Sequence, residues 1–284
     1  MSLQDSLLSA NLSVDYRHKT GVLRNISLCI KRQEILGLVG QSGSGKSTLA
    51  LSLMGLLSPK GGAVKGGILF RGKDLLKSSE KELRAIRGKE MSIVLQSPLA
   101  ALNPALSIGS QLTEAWKAHE RRNDEQGSAA IQAALTSVCL PNDKDFLRRR
   151  PSQLSVGQGQ RVCIAMAILH RPALLLADEA TSALDPITQS EILNLFARLN
   201  CEMGTAILYI SHDLLSVAAL CHRICILHEG QIVECGMPEA IFNSPQHEYT
   251  RRLVAALPRV PTRTIPDRTD SQDAERLLLQ HSSF

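Results

Sequence analysis

The sequence predicts an α/β fold with a mostly parallel sheet, an antiparallel β layer and an inserted helical segment. Three observations carry that prediction. A glycine-rich turn, Gly40-Gln41-Ser42-Gly43-Ser44-Gly45-Lys46-Ser47-Thr48, sits between an apolar run at 35–39 and a helix-like run at 48–57. Later in the chain, short apolar runs alternate with amphipathic stretches, and each apolar run ends in a polar residue. Between them, from Pro98 to Pro151, the pattern is helical throughout. Strands that alternate with helices pair in parallel, and such sheets bind ligands at the C-terminal ends of their strands.

Taken in order, residues 11–16 and 22–30 alternate apolar and polar side chains and read as two strands laid over the core. Tyr16 ends the first; its ring either stacks on an adenine or is an ordinary strand-end aromatic, and the sequence favours neither. Residues 35–39 read as a buried strand and 48–57 as a helix closed by Ser58-Pro59. Glycine pairs at 61–62 and 66–67 bracket a predicted turn before a strand at 68–70. Ser79-Glu80-Lys81-Glu82 has the form of a capping box and begins a helix to about Arg87. Residues 91–95 are a buried strand that delivers Gln96. Amphipathic helices follow at 108–119 and 125–139, and Arg148-Arg149-Arg150 reads as a solvated loop. Leu154-Ser155-Val156-Gly157-Gln158 opens a helix to Leu169. The remaining strands are 174–177, ending in Asp178-Glu179, 205–210, ending in Ser211-His212-Asp213, and two short ones at 223–227 and 231–234, with a helix at 187–199. No internal repeat is visible.

The turn at 40–48 fits the phosphate-loop pattern G-x-x-x-x-G-K-[ST]. Strand, glycine turn and helix start together aim backbone N–H groups and a helix dipole at one point, which suits a polyphosphate. Glycine is required where a Cβ would block the approach of the backbone. Lys46 would reach the β- and γ-phosphates, and the Ser47 hydroxyl would ligate Mg²⁺. Asp178 and Glu179, after four apolar residues, form a Walker B pattern in which Asp178 holds the Mg²⁺ shell and Glu179 polarises the attacking water. Alone, an acidic strand end is a weak signal, and a lone His212 more often caps or faces solvent. Together with Gln96 and the loop they read as a γ-phosphate sensor.

Composition bounds the rest. A hydrophobic content of 44% in 284 residues supports a real core, while only 3% aromatics leaves aliphatic side chains to fill it. The net charge of +5 fits nucleotide binding or an anionic membrane surface and proves neither. No apolar run approaches the ~18 residues of a membrane span. Residues 1–10 lack a basic start and carry Asp5, which argues against a signal peptide. Seven scattered cysteines, mostly in apolar runs, read as reduced, buried thiols of a cytosolic protein. Cys221, His222, Cys225 and His228 can be drawn as a metal site, but zinc favours tighter paired spacing and the surrounding residues look packed.

With the phosphate loop, Gln96, Leu154-Ser155-Val156-Gly157-Gln158, Asp178-Glu179, Ser182-Ala183-Leu184-Asp185 and His212 in this order, the chain resembles the ATP-binding subunits of ABC transporters over about its first 250 residues. The resemblance implies a P-loop NTPase core (an ABC ATPase domain at 1–250), with a helical subdomain inserted at about 98–165 and a C-terminal extension at 251–284. It implies ATP and Mg²⁺ as ligands. The nucleotide set is Tyr16, Gly40, Ser42, Gly43, Ser44, Gly45, Lys46, Ser47 and Thr48, joined by Ser155, Gly157, Gln158 and Asp185; Ser47, Gln96 and Asp178 hold the metal, and Glu179, His212 and Gln96 serve catalysis. It also implies a head-to-tail dimer, with each ATP between one phosphate loop and the partner's signature. Ser155 and the Gly157 N–H begin a helix, so they are suited to clamp a γ-phosphate across an interface.

Within the family, Gln96-Ser97-Pro98 with Leu102-Asn103-Pro104, the stretch 86–91 and Ser244-Pro245-Gln246-His247-Glu248-Tyr249-Thr250 look like the peptide and nickel importers. That likeness implies a second ATPase subunit, in a heterodimer or else a homodimer, two transmembrane permease subunits, a solute-binding protein acting indirectly and no nucleic acid. Its place is then the cytoplasmic face of the inner or plasma membrane. The competing readings are a soluble ABC ATPase acting on nucleic acid or ribosomes and a non-hydrolysing regulatory subunit. The first usually carries a coiled-coil insertion or tandem cassettes, absent here; Glu179 and His212 argue against the second. Three departures stand out: Val156 in place of the signature's first glycine, Gln33 where a glycine commonly precedes Glu34, and Ala180 for a common proline. Many relatives carry C-terminal cysteines for an iron–sulfur cluster; residues 257–284 have none, so no cluster is expected.

Overall fold

The computed structural model describes residues 6–57, 61–120 and 124–257. Strands β1 (Ser6–Tyr16) and β2 (Lys19–Lys31) form a hairpin, and β3 (Ile35–Val39) runs into the glycine turn and α1 (Lys46–Leu53). β4 (Gly62–Phe70) and β5 (Lys73–Asp74) return to β1, making an antiparallel sheet of order β2-β1-β4-β5. α2 (Glu80–Ile86) leads to β6 (Met91–Val94). Five helices follow: α3 (Pro98–Ala101), α4 (Ile108–Lys117), α5 (Asp124–Ser137), α6 (Lys144–Arg148) and α7 (Val156–Ile168). The chain then returns to the sheet with β7 (Leu174–Asp178), α8 (Pro186–Met203), β8 (Ala206–Ser211), α9 (Leu214–Leu220), β9 (Arg223–His228) and β10 (Gln231–Gly236). Two helices, α10 (Pro238–Asn243) and α11 (Glu248–Ala255), close the described residues. The second sheet has the order β10-β9-β3-β8-β7-β6 and is parallel except for β10.

Every residue of β3, β7 and β8 is buried, as expected of parallel strands covered on both faces, and this is why they read as unbroken apolar runs. One core joins the two sheets: Leu12 and Ile26 from the antiparallel layer pack in the same cluster as Leu38, Leu49, Leu176 and Leu208. Each such leucine removed from water contributes about 1.5–3 kcal/mol. Helix ends follow local chemistry. Ser79 and Glu82 form the predicted capping box of α2. Asp185 caps α8 by accepting the Ile187 and Thr188 N–H groups, Pro186 occupies its first position, and Gly204 ends it in the left-handed region. The described residues up to Val254 form one compact unit. Among the described residues, no helix is long and apolar enough to cross a membrane.

Several expectations are corrected. β1 begins at Ser6 rather than at 11, because a register shift between Ser6 and Leu8 turns both Leu7 and Leu8 inward and hides the two-residue period. The glycines at 66–67 are not a turn. They lie inside β4 opposite Leu12 and Asn11, and a Cβ on Gly66 (φ +111) would stand 2.1 Å from the Asn11 carbonyl oxygen, so the glycine marks a close backbone approach. α1 stops at Leu53. Gly55 (φ 65) donates to Ser52 O and Leu56 N–H to Leu51 O, a glycine-closed helix end that precedes Ser58-Pro59, itself outside the described residues.

The reading of seven reduced, buried thiols is also overturned. Cys225 and Cys235 face each other across β9 and β10 and form a disulfide, while Cys139 and Cys201 are exposed. His222 Nδ1 accepts the Ile35 N–H at 2.9 Å instead of facing a metal. Gln33 adopts φ 56, the left-handed conformation that explains the usual glycine; the Asn200 side chain donates to its carbonyl at 3.0 Å and holds it there. Residues 274–280, whose sequence reads as a short helix, lie outside the described residues.

Candidate nucleotide site

The phosphate loop leaves β3 at Gly40, where no side chain fits: a Cβ would lie 2.3 Å from Leu227 O and 2.7 Å from Ser44 Oγ. At Gly45 (φ +108) a Cβ would lie 2.6 Å from Leu23 Cδ2, so the antiparallel sheet leans directly on the loop. Gly45 is also the N-cap of α1 and supplies no side-chain cap, which leaves the first-turn N–H groups to a ligand anion. Lys46, 4% exposed, curls back over the loop. Its ammonium donates to Gly40 O at 2.8 Å and Gln41 O at 3.1 Å, and lies 3.5 Å from Glu179 Oε1. Phosphate oxygens arriving here meet a cation already inside the loop.

Asp178 ends β7, is buried and pairs with the Ser47 hydroxyl. Burial pushes its carboxyl above the usual range; the Ser47 bond opposes that shift, and the neighbouring Glu179 charge adds to it. Its Oδ1 has no hydrogen-bond partner. A buried carboxylate oxygen left unpaired beside a hydroxyl is a donor set that fits a hard divalent cation such as Mg²⁺. Glu179 follows at φ 50, an uncommon conformation for glutamate, held by its N–H on Ile210 O at 2.9 Å. That twist turns the carboxylate back toward Lys46 and toward His212, whose Nδ1 lies 3.6 Å from Glu179 Oε2. Gln96 reaches the same edge from the end of β6: its amide donates to Ser182 Oγ at 3.3 Å, and Ser182 in turn donates to Glu179 O at 3.0 Å. Sheet topology therefore gathers Lys46, Ser47, Gln96, Asp178, Glu179 and His212 at one edge.

The signature residues form a separate cluster. Ser155 caps α7 by accepting the Gln158 N–H, and Gln158 Oε1 accepts the Ser155 N–H in return, so the Gln158 side chain is committed to the helix start. A Cβ on Gly157 would stand 2.8 Å from Thr188 Cγ2. Thr188 Oγ1 in turn donates to Asp185 at 2.6 Å, a bond that holds the Asp185 carboxyl below its ordinary range. Signature and Asp185 turn are thus one packed unit, and it exposes two apolar side chains, Val156 (40%) and Ile187 (75%). Tyr16 sits on the antiparallel sheet opposite Lys19 and Gly62.

Sequence reasoning missed two groups that serve this site. Tyr209, fully buried on β8, shares a 2.8 Å hydrogen bond with Thr181 and so ties the loop after Glu179 to the strand that carries His212. No motif flags it. Tyr249 accepts the Gln41 N–H at 3.3 Å, and here a signal existed, since Tyr249 lies in the late stretch singled out above.

Comparison with known proteins follows the same lines. A family profile described as ABC transporter matches residues 23–182. The glutathione import ATP-binding protein GsiA of Escherichia coli (strain K12) is 39% identical over 259 residues, 88% of this chain and 42% of that protein. GsiA of Salmonella choleraesuis is also 39% identical, over 90% of this chain and 43% of its own length. The chain thus spans less than half the length of these curated relatives. Among solved structures, cbiO1 from Clostridium perfringens, part of the ABC transporter complex cbiONQ, superposes with a TM-score of 0.73 at 29% identity, covering 90% of this chain and 97% of that one. A dimeric ATP-binding cassette, MJ0796, in a post-hydrolysis state with ADP and Pi gives 0.69 at 28% identity, covering 81% and 98%.

Proposed function

This chain belongs to the ABC transporter family, and on that premise we propose that it binds and hydrolyses ATP to power a membrane importer of a small solute. The convergence of Lys46, the Ser47–Asp178 pair, Glu179, His212 and Gln96 at one sheet edge carries this reading. The triphosphate enters the loop from solvent and draws Lys46 off the Gly40 and Gln41 carbonyls. Ser47 and Asp178, with Gln96 beside them, would hold Mg²⁺, which supplies charge neutralisation at the β- and γ-oxygens. Glu179 accepts a proton from water as that water's oxygen bonds to the γ-phosphorus. The bond from that phosphorus to the bridging oxygen breaks, leaving ADP and phosphate. His212 orients Glu179 and the γ-phosphate.

Completion of the site belongs to a partner cassette, identical or homologous, whose counterparts of Ser155 and Gly157 close on the γ-phosphate. Closure is passed through the helices between β6 and β7 to two permease subunits at the cytoplasmic face of the membrane. An apolar cavity of about 440 Å³, lined by Met54, Leu95, Leu102, Ala118 and Met166 between Gln96's strand and those helices, supports docking of a permease segment there. Glutathione is itself a small peptide, so the GsiA relatives favour a peptide over nickel as the solute. The cassette corresponds to residues 1–250, with 251–284 an extension. The test is to isolate the full chain from detergent-solubilised membranes, identify what co-purifies, and measure solute-stimulated ATP hydrolysis by that assembly. A chain that purifies with no membrane subunit and turns over ATP only with nucleic acid or ribosomes overturns the proposal.

A further inference from the structure

Three contacts from the C-terminal third of the chain brace the phosphate loop, and only one of them is made by a side chain. Leu227 O stands against Gly40, and the Gly230 N–H donates to Ser44 O at 3.1 Å; both are backbone contacts from the β9–β10 hairpin. The third comes from α11, where the Tyr249 hydroxyl accepts the Gln41 N–H at 3.3 Å. Gln41 is the residue whose carbonyl oxygen receives the Lys46 ammonium at 3.1 Å. One peptide plane away from the lysine that meets the phosphates, the loop is therefore pinned by a tyrosine 208 residues later in the chain.

The tyrosine is itself held from three sides. Its ring stacks on His228 with centroids 3.7 Å apart and planes 14° from parallel. Its N–H donates to His247 Nδ1 at 3.1 Å. Glu234 fixes the residues just before α11, taking the Gln246 N–H at 2.8 Å and the His247 N–H at 3.0 Å. With 4% of its surface exposed, Tyr249 has little freedom to move away from Gln41. An ordinary core aromatic needs none of this: a phenylalanine would fill the same space and stack on the same histidine.

We propose that Tyr249 is a positioning residue of the nucleotide site: its hydroxyl fixes the Gln41 peptide and, through it, the resting place of Lys46, so that α11 sets the affinity for ATP. The proposal rests on the phosphate-loop reading above. It predicts that nucleotide binding depends on the hydroxyl, while folding depends on the ring.

The experiment is equilibrium binding of a fluorescent ATP analogue with Mg²⁺ to the full chain, paired with melting temperatures measured without nucleotide. The variants are Tyr249→Phe, His228→Leu and, as control, Lys46→Ala. Tyr249→Phe should raise Kd about three- to tenfold, the range that one lost hydrogen bond allows, with a melting temperature close to wild type. His228→Leu retains the hydroxyl but frees the ring, and should raise Kd by less. In the ATPase-competent assembly, Tyr249→Phe should raise KM with kcat preserved. If wild type binds the analogue, Lys46→Ala does not, and Tyr249→Phe binds as wild type does, the positioning role is overturned. A lowered melting temperature with unchanged Kd overturns it equally, making Tyr249 a packing residue. If wild type fails to bind the analogue, the nucleotide-site reading falls and this inference with it.

Discussion

Replacing Glu179 by glutamine separates binding from chemistry. The amide nearly matches the carboxylate in shape, so the φ 50 backbone and the bond from its N–H to Ile210 O stay as they are. Two things change. The group can no longer take a proton from water, which for a positioned general base costs about 10²–10⁴ in rate. A negative charge also disappears 3.5 Å from Lys46, at the place a polyanion must enter. ATP should therefore bind at least as tightly as before, and the closed dimer should outlive that of wild type. Asp178 supplies an independent readout. Burial is the main reason its carboxyl lies above the usual range, but the Glu179 charge adds to the shift. A raised carboxyl must lose its proton to hold a cation, so Mg²⁺ affinity should weaken as pH falls through that raised value. In Glu179→Gln the repulsive part is gone, and the weakening should move to lower pH. Phosphate release by the assembled complex and Mg²⁺ titrations of the chain across pH 4–7, about the carboxylate range and its upward shifts, measure the two effects. Wild-type hydrolysis by Glu179→Gln would refute the base assignment and turn attention to His212. An unshifted acid limb would refute the electrostatic coupling to Asp178.

Lys46→Ala should weaken ATP binding more than tenfold, the equivalent of about 1.4 kcal/mol, because the ammonium that rests on the loop carbonyls is removed; affinity within a factor of about two would remove the basis of the functional reading. Tyr16→Ala should weaken ATP and ADP binding alike by several-fold, about 1 kcal/mol, if the ring stacks on adenine, and equal affinities would return Tyr16 to a strand-end role. Thiol titration of the native chain should find Cys139 and Cys201 reactive at once. Cys163, pushed up to about 12 by burial, and Cys221, raised by burial as well, should stay silent. After denaturation without reductant five thiols should appear, and seven would refute the Cys225–Cys235 pair.

Much of the parallel sheet was legible because its signal is local. A strand buried on both faces must be apolar throughout, so β3, β7 and β8 stand out with no knowledge of their neighbours. The antiparallel layer was less legible for the opposite reason. Its period of two survives only while the register is unbroken, and the shift at Leu7–Leu8 erased it at the start of β1. Glycine carries the same ambiguity. The pair at 66–67 has the composition of a turn, and only the Asn11 carbonyl lying opposite reveals why a side chain is excluded. Cys225 and Cys235 were misread because their pairing depends on the register of β9 against β10, which spacing alone does not give.

At the site, what was legible is what the ligand itself demands. Phosphate and cation chemistry restrict residue type at the loop, at Asp178-Glu179 and at His212, and parallel topology then guarantees that strand ends meet. What was hidden is what the fold demands on the ligand's behalf. Tyr209 and Tyr249 touch no phosphate; they hold Thr181 and Gln41, and no motif marks Tyr209, while the stretch that contains Tyr249 pointed to a family likeness and not to a contact with the loop. The same division explains the departures. Val156 lies in the open first turn of α7, where its side chain is exposed and has room in its own chain. The next position has no such freedom, since Thr188 already occupies the space that a Cβ at Gly157 would need. A substitution in the signature is therefore to be judged by which wall it meets: a side chain at 156 stands exposed, and one at 157 meets Thr188 of its own chain.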